Sequence, residues 1–532
     1  MDHLVSAVRR MLRLRWTSVL ALAVVVSKTA GQGVGTTSDE RLIAALRSYI
    51  PYLMKQAEAG VPGLSIAVAR RSGVIWEEGF GYADLEKRTP MTATTVTHSG
   101  SMGKAYVGTA IMQLAERGVF QLDDPINKYL KEFQVVNPLG DREITFRDLL
   151  THRTGLAGNA AGSDFARPLP LGEHLERGYA TKYHDWWHGA VVQKWSAKVG
   201  EKFQYSNFGL ATLGYLVEVS NPERSSFSDY VQKHIMDPLG MKSSQYPPVQ
   251  DSAHVRPDIY ARFSKGYARL GTLYVPTPAI YFADYPAGTV VTTPGDHLRL
   301  LLAYMNGGTY NGYQLLKPET VKLMLSPQVT KVFPNADLGL IWFLRNAGKK
   351  EAEFGHGGAH MYGWDNDFRA FPELDIAFAT FTNHWDMINL VAIHQRVADF
   401  LVQWHRYEGA GGRKPIPPRS WAWKTSYVAG LIMVENMKGQ LGIASPLTNE
   451  MIAAMVKGAR PIPGRPGDAT RWDAEGFRAG VEDMLKVEMT PEAVRAFLES
   501  DRMRIAPEEL DILYREIGGR SAYPKPTGQS RN

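Results

Sequence analysis

The stretch VTHSGSMGKAYVGTAIMQLAERG, residues 96–118, carries the pattern on which the prediction of fold and function depends. Ser101 stands three residues before Lys104, and apolar positions then recur every three to four residues until Gly118. That period predicts a helix over residues 101–117, which Gly118 ends. Residues three apart lie on one face of a helix, so we expect the Ser101 and Lys104 side chains to meet.

A serine beside a lysine is a candidate nucleophile with its base. A serine hydroxyl reacts poorly until another group takes its proton, and a lysine does this when burial or nearby positive charge lowers its pKa. A serine at the start of a helix is also next to unpaired N–H groups and the positive end of the dipole. This is the single S-x-x-K in the chain, but both residue types are common. The spacing alone leaves an ordinary surface helix open.

A second feature is GEKFQYSNFGLATLGYLVE, with Tyr205, Ser206 and Asn207 at the start of a predicted helix. A tyrosine near a lysine ammonium is able to relay a proton as its phenolate. The Asn207 amide has donors and an acceptor with which to hold a lysine and a substrate carbonyl. The alternative is a helix N-cap formed by Ser206, with Tyr205 simply packed beside it.

The third feature is EFGHGGAHMYGW, in which His356, Gly357 and Gly358 precede a β-rich segment. Glycines let a substrate approach the backbone closely, and the N–H of Ala359 is placed to face an oxyanion. The alternatives are a glycine turn with a surface histidine, or a zinc pair of His356 and His360. The two glycines argue against the helix that such a pair needs, and we expect no metal.

Composition restricts the class of protein. A chain of 532 residues is too long for one simple core, so two or three structural units are expected. The formal charge is +6, but the first thirty residues hold +4 of it, so a nucleic-acid partner is not expected. The chain has no cysteine, which excludes disulfides, thiolate nucleophiles and thiolate metal sites.

Residues 1–31 have the pattern of a secretory signal peptide. A basic start is followed by VLALAVVV and then by small residues, which predicts a periplasmic or secreted protein. The apolar run is too short to favour a spanning helix, although an uncleaved N-terminal anchor remains an alternative. No other segment is long and apolar enough to cross a membrane, so no span is expected after the signal is removed.

Strand patterns lie near both ends of one unit. Residues 64–69 and 74–80 predict a hairpin, and YGWDNDFRAF and DIAFATFTN predict two more strands around a turn at residues 372–375. Helical patterns cover residues 39–60 and about 387–404 and most of the chain between the strands. The pattern predicts an α+β fold, an antiparallel sheet flanked by helices with an inserted, mainly helical subdomain.

These patterns also predict the domain organisation. The main domain is expected over residues 39–408, with its helical subdomain at about 103–334. GAGGRKPIPP begins a linker over residues 409–420, and a C-terminal helical extension is predicted for residues 421–532.

The three motifs, in this order, resemble the serine β-lactamase-like hydrolases, which include class C β-lactamases, D-alanyl-D-alanine peptidases and related esterases. Flanking segments are similar too, among them VPGLSIAVAR, QLDDPINKYL, ITFRDLLTHRTGL and YPAGTVVTTPGDHLRLLLAYMNGG. The resemblance covers roughly residues 40–405. It implies that His152, within LLTHRTGL, lies in a structural turn.

The resemblance implies a role for each motif residue. Ser101 matches the acylated nucleophile, Lys104 the residue that activates it, and Tyr205 the proton relay. Asn207 matches the residue that holds Lys104 and the substrate.

His356, Gly357 and Gly358 match the family's third motif, which is implied to bind the substrate. The N–H groups of Ser101 and Ala359 match the family's oxyanion hole. Of the aromatic residues, Tyr362 and Trp364 are the first candidates for an acyl pocket, because they directly follow this motif.

One departure from the family pattern bears on the substrate. Class C β-lactamases have K-T-G where this chain has H-G-G, and a histidine carries less positive charge near neutral pH. We therefore expect an exported serine hydrolase that forms an acyl-serine, with an ester favoured as substrate and no cofactor.

Three alternatives stand beside this expectation. The first is β-lactamase, D-alanyl-D-alanine carboxypeptidase or D-aminopeptidase activity, on an amide or a D-amino-acid peptide. The second is a non-catalytic penicillin-binding or sensor protein on the same fold. The third, an α/β-hydrolase, requires a G-x-S-x-G elbow, and Ser99 stands where its first glycine belongs.

Overall fold

The computed structural model describes residues 37–56, 61–157, 163–164, 169–180, 194–270, 273–277, 281–360, 363–385, 389–408, 419–441, 473–487, 491–498, 500, 502–505, 509–510 and 512–513. The predicted signal peptide and most of the predicted linker lie outside the described residues. The chain divides into two units, residues 1–46 and 47–532, and the site lies within the second.

A nine-stranded antiparallel sheet forms the centre of the second unit. We number its strands in chain order: β1 Gly63–Arg70, β2 Gly73–Asp84, β3 Thr89–Pro90, β4 Val329–Phe333, β5 Ala336–Leu338, β6 Phe343–Arg345, β7 Glu353–His360, β8 Trp364–Phe371 and β9 Ile376–Thr382. Their spatial order is β4-β5-β6-β7-β8-β9-β1-β2-β3. The two hairpins predicted from sequence therefore lie side by side, with Leu64 of β1 opposite Thr382 of β9.

The helices are numbered in the same way: α1 Ser38–Gln56, α2 Lys104–Glu116, α3 Phe146–Leu150, α4 Leu171–Tyr179, α5 Asn207–Ser220, α6 Phe227–Val231, α7 Pro257–Tyr260, α8 Pro294–Met305, α9 Pro318–Met324, α10 Asn389–Glu408, α11 Trp421–Leu441, α12 Ala474–Leu485 and α13 Pro491–Leu498. Short two-stranded ladders lie outside the main sheet, for example Thr97–His98 with Val291–Thr292. Within the described residues, no helix combines the length and the hydropathy that a membrane span requires.

Helices cover both faces of the sheet. His297 of α8 packs against the ring of Phe381, whereas His394 of α10 contacts the hydroxyl of Thr380. Adjacent residues of a strand point to opposite faces, so α8 and α10 lie on opposite sides of β9. Every residue of β8 and β9 is accordingly buried.

The predicted α+β fold, an antiparallel sheet flanked by helices with an inserted helical subdomain, is confirmed. The core of that subdomain is α2, whose residues from Lys104 to Leu114 are all buried. A helix buried all round belongs inside a core, and α2 packs against α5 there. The described parts of residues 421–498 are helical as well.

Candidate active site

Ser101 lies in a tight turn in front of α2. The α-helix predicted from residue 101 begins instead at Lys104, and Gly100–Gly103 form a 3₁₀ turn. With three residues per turn, side chains at i and i+3 lie directly above each other, so the pair meets as expected. Gly100 has φ +58°, a left-handed conformation that favours glycine at this position.

Lys104 is the base candidate, and its ammonium group is fully buried. Its Nζ lies 2.9 Å from Ser101 Oγ and donates to the carbonyl of Ala287 at 2.7 Å. Burial lowers the pKa of Lys104 to about 7, against the opposing effect of the Asp284 carboxyl. At neutral pH a large share of the lysine is therefore the free amine, which is able to accept the serine proton.

Tyr205 completes the group around Ser101. Its hydroxyl is hydrogen-bonded to Ser101, and Lys104 Nζ lies 5.0 Å from the centre of its ring. Burial raises the pKa of Tyr205 well above its ordinary value of 10, although the Ser101 hydrogen bond opposes this. The phenol of Tyr205 therefore stays protonated near neutral pH. The group that is available as the base is the free amine of Lys104, not a Tyr205 phenolate.

The start of α5 presents the second motif, and the N-cap that was its alternative interpretation is present. Ser206 is the N-cap, and its Oγ accepts the N–H of Gly209 at 3.0 Å. The cap fixes where α5 begins, which places Tyr205 directly before it and Asn207 as its first residue. Asn207 lines the same cavity as Ser101.

His356 is a buried residue of β7 on the side of Tyr205. The centres of the two rings lie 6.3 Å apart, and the Nδ1–H of His356 donates to the carbonyl of Gly357 at 2.6 Å. Burial, with a smaller contribution from Lys104, lowers the pKa of His356 to about 3. The ring is neutral at physiological pH, so the third motif brings no positive charge to the site.

The rest of the third motif packs backbone to backbone against the serine turn. Strand β6 pairs only with Glu353–Gly355, so beyond Gly355 that edge of β7 faces residues 99–102. An added Cβ on Gly358 would overlap the carbonyl oxygen of Ser99, and one on Gly100 would lie 3.0 Å from the nitrogen of Ala359. The predicted oxyanion donors, Ser101 and Ala359, thus line one cavity.

That cavity has a volume of about 50 Å³. The described residues that line it are His98, Gly100, Ser101, Asn207, Phe282, Asp284, Ala287, Gly288, Ala359 and His360. Trp364, a predicted pocket residue, is not among them and instead stacks on His98 at 5.6 Å between ring centres. Tyr362, the other predicted pocket residue, lies outside the described residues.

A family model described as Beta-lactamase matches residues 41–400, which is more than half of the chain. The chain belongs to the Beta-lactamase family. The resemblance deduced from the three motifs is thereby confirmed.

The chain is also similar to individual known proteins, among them the following three. Protein flp of Staphylococcus aureus (strain MW2) is 28% identical over 187 residues, a match that spans 35% of this chain and 35% of that relative. The octameric penicillin-binding protein homologue from Pyrococcus abyssi has a TM-score of 0.54 at 21% identity, covering 73% of this chain and 82% of that one. EstCE1, a hydrolase with promiscuous acyltransferase activity, has a TM-score of 0.54 at 20% identity, covering 67% and 98%. At these identities the solved structures establish the shared fold.

His152 holds the family's second motif in place. Its ring stacks on Tyr205 with centres 4.5 Å apart, and its Nδ1 accepts the N–H of Ser206 at 3.0 Å. Its own carbonyl accepts the N–H of Gln204 at 2.8 Å. His152 is buried in a left-handed turn, with φ +53°, so it positions Tyr205 from behind.

Two contributors to the site were missed from sequence. The carbonyl of Ala287 holds Lys104, and the carboxyl of Asp284 lines the cavity. Both belong to YFADYPAGT, whose sequence suggested only a loop. Gly288 lets this loop approach, because an added Cβ there would lie 2.8 Å from the carbonyl oxygen of Gly100. In the sequence, Gly288 was the one sign that another part of the chain comes close to this loop. A glycine alone does not tell which part of the chain that is.

A larger cavity, of about 370 Å³, contains none of the motif residues. Its described lining is Arg142, Arg147, Asp148, Thr151, Arg153, Val199, Gly200 and Gln328. Arg142 is paired with Asp148, and Arg147 is paired with Asp123. Most of the positive charge that lines this larger cavity is therefore already compensated. The smaller cavity at Ser101 is therefore the candidate active site.

Proposed function

We propose that this protein is a serine hydrolase that cleaves esters through an acyl-Ser101 intermediate. The observation that carries the proposal is the contact of 2.9 Å between Lys104 Nζ and Ser101 Oγ, with Lys104 fully buried. A nucleophile within hydrogen-bond reach of a base whose pKa is near the working pH is the arrangement that acyl transfer requires.

In the proposed acylation step, Ser101 Oγ bonds to the substrate carbonyl carbon while its proton passes to the Lys104 amine. The carbonyl oxygen becomes an oxyanion, which the N–H groups of Ser101 and Ala359 stabilise. When the bond to the leaving group breaks, that group takes a proton from the Tyr205 hydroxyl, and Lys104 restores it. Water then attacks the acyl-serine by the same route in reverse and releases the acid.

The neutral third motif supports an ester over a carboxylate-bearing substrate. His356 is buried, and its pKa is lowered to about 3, so it offers no cation to the carboxylate of a β-lactam or a C-terminal peptide. A lysine at this position would supply one. β-Lactamase and D-alanyl-D-alanine carboxypeptidase activities therefore rank second.

The test compares hydrolysis of p-nitrophenyl acetate and butyrate by the native protein and by Ser101→Ala. We expect Ser101→Ala to lower kcat/KM by about a thousandfold or more, as for removal of other hydrolase nucleophiles. Ser72→Ala is the matched control, since Ser72 is exposed in the β1–β2 turn. A fluorophosphonate is expected to label the native protein and Ser72→Ala at Ser101.

Two results would count against the proposal. If Ser101→Ala hydrolyses the esters as fast as the native protein, Ser101 is not the nucleophile. If Ser101 is labelled but no ester or chromogenic cephalosporin is turned over, the protein binds acyl groups without catalysis, as the sensor alternative requires.

A further inference from the structure

Asp284 is a buried carboxyl group that the proposed mechanism does not use. It directly precedes the Tyr285–Ala287 turn that holds Lys104, and its side chain is 2% exposed. It lines the Ser101 cavity, and its Oδ2 has no hydrogen-bond partner among the described residues. A buried carboxylate oxygen without a protein partner is costly unless a water or a ligand donates to it, so this oxygen is available to a donor that enters the cavity.

Apart from Asp284, the described residues that line the cavity carry no permanently charged side chain, and Lys104 lies close enough to oppose the effect of burial on Asp284. Phe282, His98 and His360 line the same cavity, with the His360 ring 4.3 Å from His98 and 4.6 Å from Phe282 between centres. Burial lowers the pKa of both histidines, that of His360 to about 3, so neither supplies a cation near neutral pH. An ammonium group would fit both the carboxylate and the faces of these rings.

The proposed mechanism requires Lys104 as the neutral amine. In that state no other described residue of the cavity gives Asp284 a positive charge as partner. Burial raises the pKa of Asp284 to about 6, although Lys104 opposes this, while the pKa of Lys104 is about 7. Above pH 7 the carboxylate is therefore ionised while Lys104 is the neutral amine that accepts the serine proton. A buried negative charge beside a developing oxyanion disfavours acylation unless another cation enters the cavity.

We propose that Asp284 binds the protonated amine of the substrate, so that the cavity accepts esters of short amino acids in preference to uncharged acyl esters. This inference rests on the proposed function of Ser101. The cavity is small, about 50 Å³, and Asp284 and Ser101 line it together, so the ester of a short amino acid places its ammonium close to the carbonyl carbon that Ser101 attacks.

The experiment compares alanine methyl ester, in each enantiomer, with methyl lactate, which replaces the ammonium by a hydroxyl. The released acid is titrated at constant pH 7 with the full-length native protein, Asp284→Asn and Ser101→Ala. We expect the native protein to prefer at least one alanine ester by about tenfold or more in kcat/KM, mainly through KM. Asp284→Asn is expected to lose most of that preference, measured within each protein as the ratio of kcat/KM between the alanine ester and methyl lactate.

The possible outcomes separate the role of Asp284 from the proposed function of Ser101. Ser101-dependent hydrolysis of methyl lactate and p-nitrophenyl esters, without preference for the amine, overturns the role of Asp284 and leaves the proposed function standing. An equal change on both substrates in Asp284→Asn means that the carboxyl acts through Lys104 instead. Failure of every substrate to show Ser101 dependence overturns the proposed function itself. If Asp284→Asn does not fold, the native preference for alanine methyl ester over methyl lactate still decides the question.

Discussion

At the residue scale, the geometry around Lys104 suits both of its protonation states. As an ammonium it donates to Ser101 Oγ and to the carbonyl of Ala287. As a free amine it keeps an N–H for Ala287 and turns its lone pair to the serine proton. The carbonyl is a fixed acceptor that does not change with pH, so the amine stays aimed at Ser101 in both states.

The pKa of Lys104 predicts how activity depends on pH. Burial lowers that pKa from 10.5 to about 7, and only the free amine is able to take the serine proton. For p-nitrophenyl butyrate, kcat/KM should rise with pH through a midpoint near 7 and fall about tenfold per unit below it.

The measurement covers pH 5 to 9, with the stability of the protein checked at each pH. Lys104→Arg is the matched variant, because a guanidinium keeps the charge and is not deprotonated in this range. It is expected to be inactive throughout. A rising limb centred near pH 10, or activity in Lys104→Arg, would mean that Lys104 is not the base.

The sequence predicted which residues form the site better than it predicted their long-range contacts and their burial. The spacing of Ser101 and Lys104 predicted their contact, since that distance is local. The Ala287 carbonyl and the Tyr205 hydroxyl reach the same pair across about a hundred residues or more of chain, and no local period encodes such contacts. The burial that lowers the pKa of Lys104 likewise depends on how α2, α5 and the YPAG loop pack together.

At the element scale, the position of β7 against the serine turn depends on a glycine that leaves no room for a side chain. Gly358 sits beneath the carbonyl of Ser99 and close to the nitrogen of Met102. Among the described residues, an added Cβ on its neighbour Gly357 would meet only the carbonyl oxygen of Asn366, at 3.8 Å. Of these two adjacent glycines, Gly358 therefore allows the close approach of the serine turn, and Gly357 does not. The sequence H-G-G does not show this difference.

Gly358→Ala is predicted to push β7 away from the serine turn. The overlap should cost about 1–3 kcal/mol of stability, as overpacking of a tight contact does. It also moves the N–H of Ala359, and losing an oxyanion donor lowers kcat by about a hundredfold or more. Thermal unfolding and ester hydrolysis measure the two effects.

Gly357→Ala is the matched control for stability, because its Cβ enters ordinary van der Waals space. Its unfolding midpoint should stay close to that of the native protein. If both variants unfold at the same temperature and Gly358→Ala retains full activity, the close approach of β7 does not set the geometry of the site.

At the scale of the whole molecule, the sheet joins segments that lie far apart in the chain. β1 pairs with β9 over about three hundred residues, from Leu64 opposite Thr382 to Ala69 opposite Ala377. Strand patterns at both ends predicted the hairpins and an antiparallel sheet, but not which strands are neighbours in it. Strand β4, at one edge of the sheet, and its neighbour β5 were missed, because they are short and β4 buries none of its five residues fully.

The C-terminal helices are attached to the main domain by a cluster of aromatic rings. Trp421, the first residue of α11, is buried, with its ring centre 4.5 Å from that of Tyr49 and 6.2 Å from that of Phe400. Farther along, Lys424 forms a buried ion pair of 2.6 Å with Glu509. The ion pair joins two parts of the extension, whereas the contacts of Trp421 with Tyr49 and Phe400 predict that α11 unfolds together with the main domain.

Trp421→Ala tests that coupling. Emptying this cluster should cost about 3–5 kcal/mol, whereas Trp421→Phe, which keeps a ring against Tyr49 and Phe400, should cost clearly less. Because the cluster belongs to both parts, we expect Trp421→Ala to lower the calorimetric unfolding temperature and the temperature at which ester hydrolysis is lost by the same amount. The active site itself lies on other elements, so the rate at 25 °C should remain near that of the native protein. A calorimetric transition that splits in two, with the inactivation temperature unchanged, would instead mean that the extension folds independently and that the rings at Trp421 merely touch.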